Sequence, residues 1–91
     1  MFKYFKTRKY SKSYNKVRLA SKQLQRLQTY IKLLLQGEQL PKEARDHKLL
    51  KEHIGCREFH IAGDLIVVYK RVQGVLVFVD IGKHAKIFNS M

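Results

Sequence analysis

The segment CREFHIAGDLIVVYKRVQGVLVFVDIGK, residues 56–83, decides the fold of this chain. Polar and apolar residues alternate over 56–61, and β-branched apolar residues fill 65–72 and 75–81, which predicts three strands. Ala-Gly-Asp at 62–64 and Gln-Gly at 73–74 are turn signals of the kind that join antiparallel neighbours. The segment therefore predicts a three-stranded antiparallel meander.

Two helices are predicted before this sheet. Thr7 is a suitable N-cap for the first helix and Ser21 for the second. Apolar residues recur at helical spacing after each cap, and Gly37 ends the second helix. Helices grouped before an antiparallel sheet predict an α+β fold, with an N-terminal helical hairpin packed on one face of a small sheet. The remaining segments are predicted as a short strand at 2–5, a loop at 37–54 and a tail at 82–91.

The chain is strongly basic and has the length of one domain, which is predicted to cover residues 1–91. Nineteen Lys and Arg residues face seven Asp and Glu residues, for a formal net charge of +12. A positive field of this strength attracts polyanions, namely nucleic acid, an anionic membrane surface or an acidic protein. No acidic residue precedes Glu38, so the predicted helices present one sign of charge, either to RNA phosphates or to an acidic protein partner.

Composition also excludes several classes of protein. A single cysteine, Cys56, rules out an internal disulfide and fits a reducing compartment. No apolar run reaches the length of a membrane span and the N-terminus does not resemble a signal peptide, so a cytoplasmic protein without a membrane partner is predicted. The histidines lack the spacing of metal ligands, and neither a metal nor a cofactor is predicted.

Histidines in the second half of the chain are candidates for catalysis. His60 ends a predicted strand, Asp64 follows the turn, and His84 follows the last strand, where strand ends and loops beside a sheet often hold sites. Histidine transfers protons near neutral pH. Attack of a ribose 2′-OH on its adjacent phosphate needs a base, an acid and positive charge, without a metal. The residue types therefore suit RNA cleavage, and Phe88 in the tail can stack on a base.

The stretch 40–88 resembles the YafQ branch of the RelE/ParE toxin superfamily. Four motifs carry the resemblance, namely LP at 40–41, DHKL at 46–49, CREFHIAGDLIVVYK at 56–70 and GKHAKIF at 82–88. The resemblance implies a RelE-like fold and a toxin of a type II toxin–antitoxin system. It further implies an endoribonuclease that cuts mRNA on the ribosome by metal-independent 2′-OH attack. The implied partners are a cognate antitoxin, the ribosome with its mRNA, and operator DNA through the antitoxin complex.

The same resemblance assigns roles to individual residues. Acid–base roles fall among His47, His60, Asp64 and His84, and a stacking or positioning role falls to Phe88. The YafQ branch usually has an arginine two residues before the glycine of its G-x-H motif, whereas this chain has Asp80 there. Because a carboxylate cannot stabilise a phosphorane dianion, another cation is needed. The candidates for substrate binding beside Phe88 are Lys83, Lys70 and Arg71, while Arg57 is interpreted as structural.

Two other functions stay open. A ParE-like toxin would share the fold and act on DNA gyrase, and Asp80 in place of the arginine is compatible with that function, although the retained histidines are not expected for it. A catalytically inactive module that binds an antitoxin would also keep the fold. The basic face makes an acidic antitoxin segment a suitable partner under every interpretation.

Overall fold

The structure is a computed structural model that describes residues 3–49 and 54–88. Two long helices precede most of the strands, which confirms the predicted α+β fold. The elements in chain order are β1 (Lys3–Lys6), α1 (Arg8–Val17), α2 (Ser21–Leu35), a 3₁₀ turn (Lys42–Ala44), β2 (His47–Lys48), β3 (Arg57–Ala62), β4 (Leu65–Val72), β5 (Val75–Lys83) and α3 (His84–Phe88).

The five strands form one sheet in the order β1-β5-β4-β3-β2. The predicted meander is confirmed, because β3 pairs antiparallel with β4 and β4 with β5. Gln73 and Gly74 make the turn between β4 and β5 with φ of 49° and 81°, the conformation of a two-residue hairpin turn. The short N-terminal strand β1 differs from the rest, since it pairs parallel to β5 at the edge of the sheet.

The helix starts follow the predicted caps closely but not fully. Thr7 Oγ1 accepts a hydrogen bond from the N–H of Tyr10 at 3.0 Å, which confirms the first cap. The prediction of Ser21 as the second cap is wrong by one residue, because Ala20 occupies the N-cap position. There the side chain of Gln23 accepts from the N–H of Ala20 at 2.9 Å, which is the part of a capping box that needs no side chain at the N-cap.

The core lies between the two long helices and one face of the sheet. Aromatic rings connect the layers, with Tyr10 5.8 Å from Phe78 and Tyr30 edge-on to Phe59 at 5.6 Å. Phe59 and Phe78 are fully buried, as predicted from their places in strands. Because side chains alternate along β3, the burial of Phe59 against the helices turns its neighbours to the opposite face. Among the described residues, no helix combines the length and the apolar character of a membrane span.

Two segments predicted without regular structure contain short elements. Within 37–54, the described residues form the 3₁₀ turn and β2, whose pairing with β3 is extended by a bond from Leu49 N to Cys56 O. Within 82–91, β5 continues to Lys83 and α3 follows directly. Elements of two to five residues are too short to show a hydrophobic period, so the sequence did not reveal them. His53 lies outside the described residues.

Candidate active site

A buried carboxylate brings three of the predicted histidines together. Glu58 on β3 is 1% exposed and faces outward from the helical core. The Nε2 atom of His47 lies 3.4 Å from one of its oxygens, and Nε2 of His60 lies 3.6 Å from the same oxygen. The Nε2 atom of His84 lies 3.7 Å from the other oxygen. Three imidazoles and one carboxylate thus form a single cluster, named here the histidine cluster.

Three separate elements place these side chains. His47 on β2 stands opposite Glu58 in the antiparallel pairing of β2 and β3. His60 lies two residues along β3 from Glu58 and therefore on the same face. His84 is the first residue of α3, and its N–H donates to the carbonyl of Asp64 at 2.7 Å. Asp64 thereby ties α3 to the turn between β3 and β4.

Both ring nitrogens of His47 face acceptors. Nδ1 lies 2.6 Å from the carbonyl oxygen of Arg45, and Nε2 faces Glu58. His47 thus lies between the backbone carbonyl that precedes β2 and the carboxylate of Glu58 on β3.

The surroundings of His60 shift its pKa downward. Burial lowers its pKa below the ordinary value of 6.5, and the positive charge of Arg45 acts in the same direction. The negative charge of Glu58 raises the pKa of His60, while His47 lowers it, and the net shift is downward. His60 is therefore neutral at neutral pH, the form that can accept a proton.

Arg45 and Glu58 are the site residues that the sequence reasoning missed. Arg45 follows the 3₁₀ turn with φ of 48°, and its Nη2 donates to the carbonyl of Gly63 at 3.4 Å. Its exposed guanidinium therefore contacts the β3–β4 turn, and its charge acts on His60 of the histidine cluster. The alternation of β3 already placed Glu58 on the face of His60, but it gave no reason to assign it a role.

Of the four candidates for substrate binding, two lie beside His84 and two lie at the far end of β4. Phe88 lies against His84 with ring centroids 4.6 Å apart, and exposed Lys83 directly precedes that histidine. Lys70 and Arg71 pair with Val77 and Leu76, toward the end of β4 that lies away from the turn holding Asp64.

The predicted structural role of Arg57 is consistent with its contacts. Its Nε lies 3.0 Å from Oδ1 of Asp46, and the hydroxyl of Tyr69 donates to the other Asp46 oxygen at 2.8 Å. Burial and the neighbouring Asp46 raise the pKa of Tyr69 to about 12, so its hydroxyl remains a donor at all ordinary pH values. This pair of contacts fixes the residue that precedes His47.

Comparison with known proteins gives a consistent set of relatives. A family model described as the bacterial toxin of the type II toxin–antitoxin system, YafQ, matches residues 2–89. The crystal structure of YafQ from E. coli strain BL21(DE3) is 26% identical with a TM-score of 0.85, covering 97% of this chain and 99% of that one. YafQ in the E. coli DinJ–YafQ complex is 27% identical with a TM-score of 0.84, covering 97% and 99%.

A further relative comes from another organism. The metal-bound toxin from Helicobacter pylori is 25% identical with a TM-score of 0.85, covering 97% of this chain and 100% of that one. Among curated proteins, no sequence gives a significant match.

Proposed function

This chain belongs to the YafQ family of toxins from type II toxin–antitoxin systems, and from that premise we propose that it is a ribosome-dependent mRNA endoribonuclease. The convergence of three imidazoles on the buried carboxylate of Glu58 carries the proposal. Such a cluster holds proton donors and acceptors side by side, which is what cleavage through the ribose 2′-OH requires.

The proposed reaction moves two protons. Neutral His60 takes the proton of the 2′-OH, whose oxygen attacks the adjacent phosphorus. The bond from phosphorus to the 5′-oxygen breaks, and His84, half exposed at the start of α3, donates a proton to that leaving oxygen. The products are a 2′,3′-cyclic phosphate and a free 5′-hydroxyl. Glu58 stabilises the imidazolium of His60 once it has taken the proton, and Asp64 acts through its backbone by anchoring His84.

Arg45 is the proposed cation for the phosphorane. Its charge already acts on His60, so its guanidinium lies within electrostatic reach of the proton acceptor. Guanidinium groups bind phosphate oxygens in pairs, which suits a developing dianion. Lys83 is a second candidate because it adjoins His84. Lys70 and Arg71, at the other end of β4, are less suited to this role.

The partners follow from the family and from charge. A cognate antitoxin is proposed as the inhibitor, since the relative YafQ forms a complex with DinJ. The ribosome and its mRNA are the proposed target of a protein with net charge +12 in the cytoplasm, and operator DNA is contacted through the antitoxin complex. Phe88, which packs on His84, is proposed to stack on a base next to the cleaved phosphate.

No step of this proposal uses a metal ion. One relative is described as metal-bound. In the part of this chain that the structure describes, no three His, Cys, Asp or Glu side chains are arranged to hold a metal ion. The cleavage assay therefore includes EDTA, at levels that leave ribosomes intact, and undiminished cutting is expected.

Primer extension on mRNA in a reconstituted translation reaction tests the proposed function. New cuts inside the reading frame that require ribosomes are expected from the native protein. His60→Ala and His84→Ala should abolish them, while Lys32→Ala, an exposed change on α2, should not. If the folded protein makes no cuts, the ribonuclease proposal fails. A defect in DNA supercoiling would then favour a ParE-like activity, and antitoxin binding without toxicity would favour an inactive module.

A further inference from the structure

A cavity lies on the other side of α3 from the histidine cluster. It has a volume of about 500 Å³ and is lined by α1, β5, α3, the turn after β3 and Gln23 of α2. Leu65, Ile81 and Ile87 supply apolar walls. The helix α3 divides the two sites, since His84 and Phe88 meet in one and Lys86 and Ile87 line the other. A ligand that spans α3 would therefore contact both.

Charge is distributed unevenly within this cavity. Four lysines line it, namely Lys9, Lys16, Lys83 and Lys86, and all four are exposed. In contrast, the side chain of Asp80 is only 8% exposed. One Asp80 oxygen accepts the N–H of Ile81 at 2.8 Å, and the other lies 3.6 Å from Nζ of Lys9. The cavity thus combines exposed cations with a sheltered hydrogen-bond acceptor.

We propose that this cavity binds a nucleobase of the RNA substrate that carries an exocyclic amino group, with Asp80 accepting a hydrogen bond from that amino group. The rim lysines contact the neighbouring phosphates. The inference rests on the proposed ribonuclease function, and it assigns the cavity to a nucleotide next to the one cleaved at the histidine cluster.

Three properties of the cavity support a nucleotide. Its volume falls within the range of small-ligand sites, roughly 300–1,000 Å³. Carboxylates recognise bases by accepting from amino groups, as in contacts to cytosine N4. Lysines bind phosphate as point charges. An acidic protein segment matches the lysines, but its carboxylates would be repelled by Asp80 and by Asp64, which also lines the cavity.

The proposal gives Asp80 a function of its own. In the proposed reaction, Arg45 supplies the positive charge that the family arginine would give, so Asp80 has no part in stabilising the phosphorane. Asp80 lines the cavity from β5, and the N–H of Ile81 holds one of its oxygens. Asp80 then selects which base is bound beside the cleavage site.

Binding of mononucleotides tests the cavity without requiring cleavage. AMP and purine riboside monophosphate differ only in the amino group, and each is titrated into the purified toxin while backbone amide shifts are followed by NMR. AMP should bind about tenfold more tightly, the effect of one charge-assisted hydrogen bond. The largest shifts are expected at Ile81 and Ile87, within the cavity. Equal affinities for the two nucleotides would overturn the proposal.

Variants assign the effect to the cavity. Asp80→Ala should remove the preference for AMP, and Asp80→Asn, which can still accept the N–H of Ile81 and so preserve the fold, should reduce it. Lys86→Ala should lower the affinity for both nucleotides by the same factor, whereas Lys32→Ala, outside the cavity, should change neither affinity. A preference that persists in Asp80→Ala contradicts the assignment.

The two proposals fail separately. Selective AMP binding by a protein that cuts no mRNA would leave the cavity in place and refute the ribonuclease. Cutting of mRNA by a protein that binds neither nucleotide would support the ribonuclease and refute the nucleotide site in the cavity. If, in addition, Lys86→Ala weakened antitoxin binding, the cavity would be a protein-docking site and the nucleotide proposal would be wrong.

Discussion

At Glu58, a carboxylate with 1% exposure faces the rings of His47, His60 and His84. The negative charge of Glu58 raises the pKa of His60 and so opposes the burial and the Arg45 charge that lower it. This coupling makes Glu58 the positioning residue of the site.

Glu58→Gln tests this coupling. The amide keeps the shape of the side chain but removes the charge that stabilises an imidazolium. We expect the cleavage rate to fall on the order of 10²-fold or more, the range of general acid–base catalysis. The measurement is mRNA cutting in the reconstituted reaction, with antitoxin binding as the check on folding. A variant that binds the antitoxin and cuts at the native rate would show that Glu58 has no catalytic importance.

The pH profile of cleavage should respond in opposite directions to two changes near His60. Because a general base acts in its neutral form, cutting rises as pH increases through the pKa of His60. Arg45 lowers that pKa, so Arg45→Ala should move this rise, the acidic limb of the profile, to higher pH. Arg45→Lys keeps the positive charge, so its acidic limb should stay at the native pH. Glu58 raises that pKa, so the residual activity of Glu58→Gln should show a limb at lower pH.

Shifts of the same sign in Arg45→Ala and Glu58→Gln would show that His60 is not the group being titrated. A third neighbour, His47, also lowers the pKa of His60, so His47→Gln should move the acidic limb to higher pH as Arg45→Ala does. A native profile in all three variants would assign the base elsewhere.

At the scale of elements, the sequence predicted the parts of the fold that have a period. The alternation over 56–61 and the Gln73–Gly74 turn were sufficient for the meander, because a period of two and a turn with positive φ are local properties. The two-residue strand β2 and the five-residue helix α3 have no such period. They form because β3 and Asp64 supply hydrogen-bond partners, and those partners are distant in sequence.

Thr7 joins three elements through one side chain. Its Oγ1 accepts from Tyr10 N to cap α1, and its hydroxyl donates to the carbonyl of Val79 in β5 at 2.9 Å. Its own N–H donates to the carbonyl of Phe78 at 3.1 Å, continuing the contact between β1 and β5. The parallel pairing of β1 therefore depends on this residue as well as on the strand itself.

Thr7→Val should destabilise the protein while Thr7→Ser should not. Valine matches threonine in shape but lacks both hydroxyl hydrogen bonds, so the free energy of unfolding should fall by about 1–3 kcal/mol. Serine keeps both bonds. Urea unfolding measures the difference as a lower midpoint with an unchanged slope. Equal midpoints for the native protein and Thr7→Val would show that neither bond contributes.

At the scale of the whole molecule, what the sequence could not reveal is proximity. Composition showed the charge of +12, and the family motifs identified the histidines. The ion pair of Lys9 with Asp80 joins α1 to β5, residues that are distant in the sequence, and the cavity beside it exists only once α1, β5 and α3 are packed. Arg45 likewise contacts the turn at Gly63, which is distant from it in the sequence.

The one-sign surface of α1 and α2 has two competing interpretations, contact with RNA or docking of the antitoxin. Lys12 and Lys22 are exposed and lie outside the cavity, so their effects are separable from those of the rim lysines. We expect the variant Lys12→Gln with Lys22→Gln to bind a 2′-O-methyl single-stranded RNA more weakly. The slope of log affinity against log salt should become shallower by about 0.7 for each phosphate that the variant no longer neutralises.

A variant with the same change in net charge separates a local contact from the general field. Lys3 and Lys6 on β1 are exposed at the far edge of the sheet from β2. Lys3→Gln with Lys6→Gln should leave the salt slope close to that of the native protein if the helices make the phosphate contacts. Equal weakening in the two double variants would mean that only net charge matters. If Lys12→Gln with Lys22→Gln instead bound RNA with the native affinity and salt slope but bound the antitoxin more weakly, this surface would belong to the antitoxin. A lost phosphate contact would have changed the salt slope.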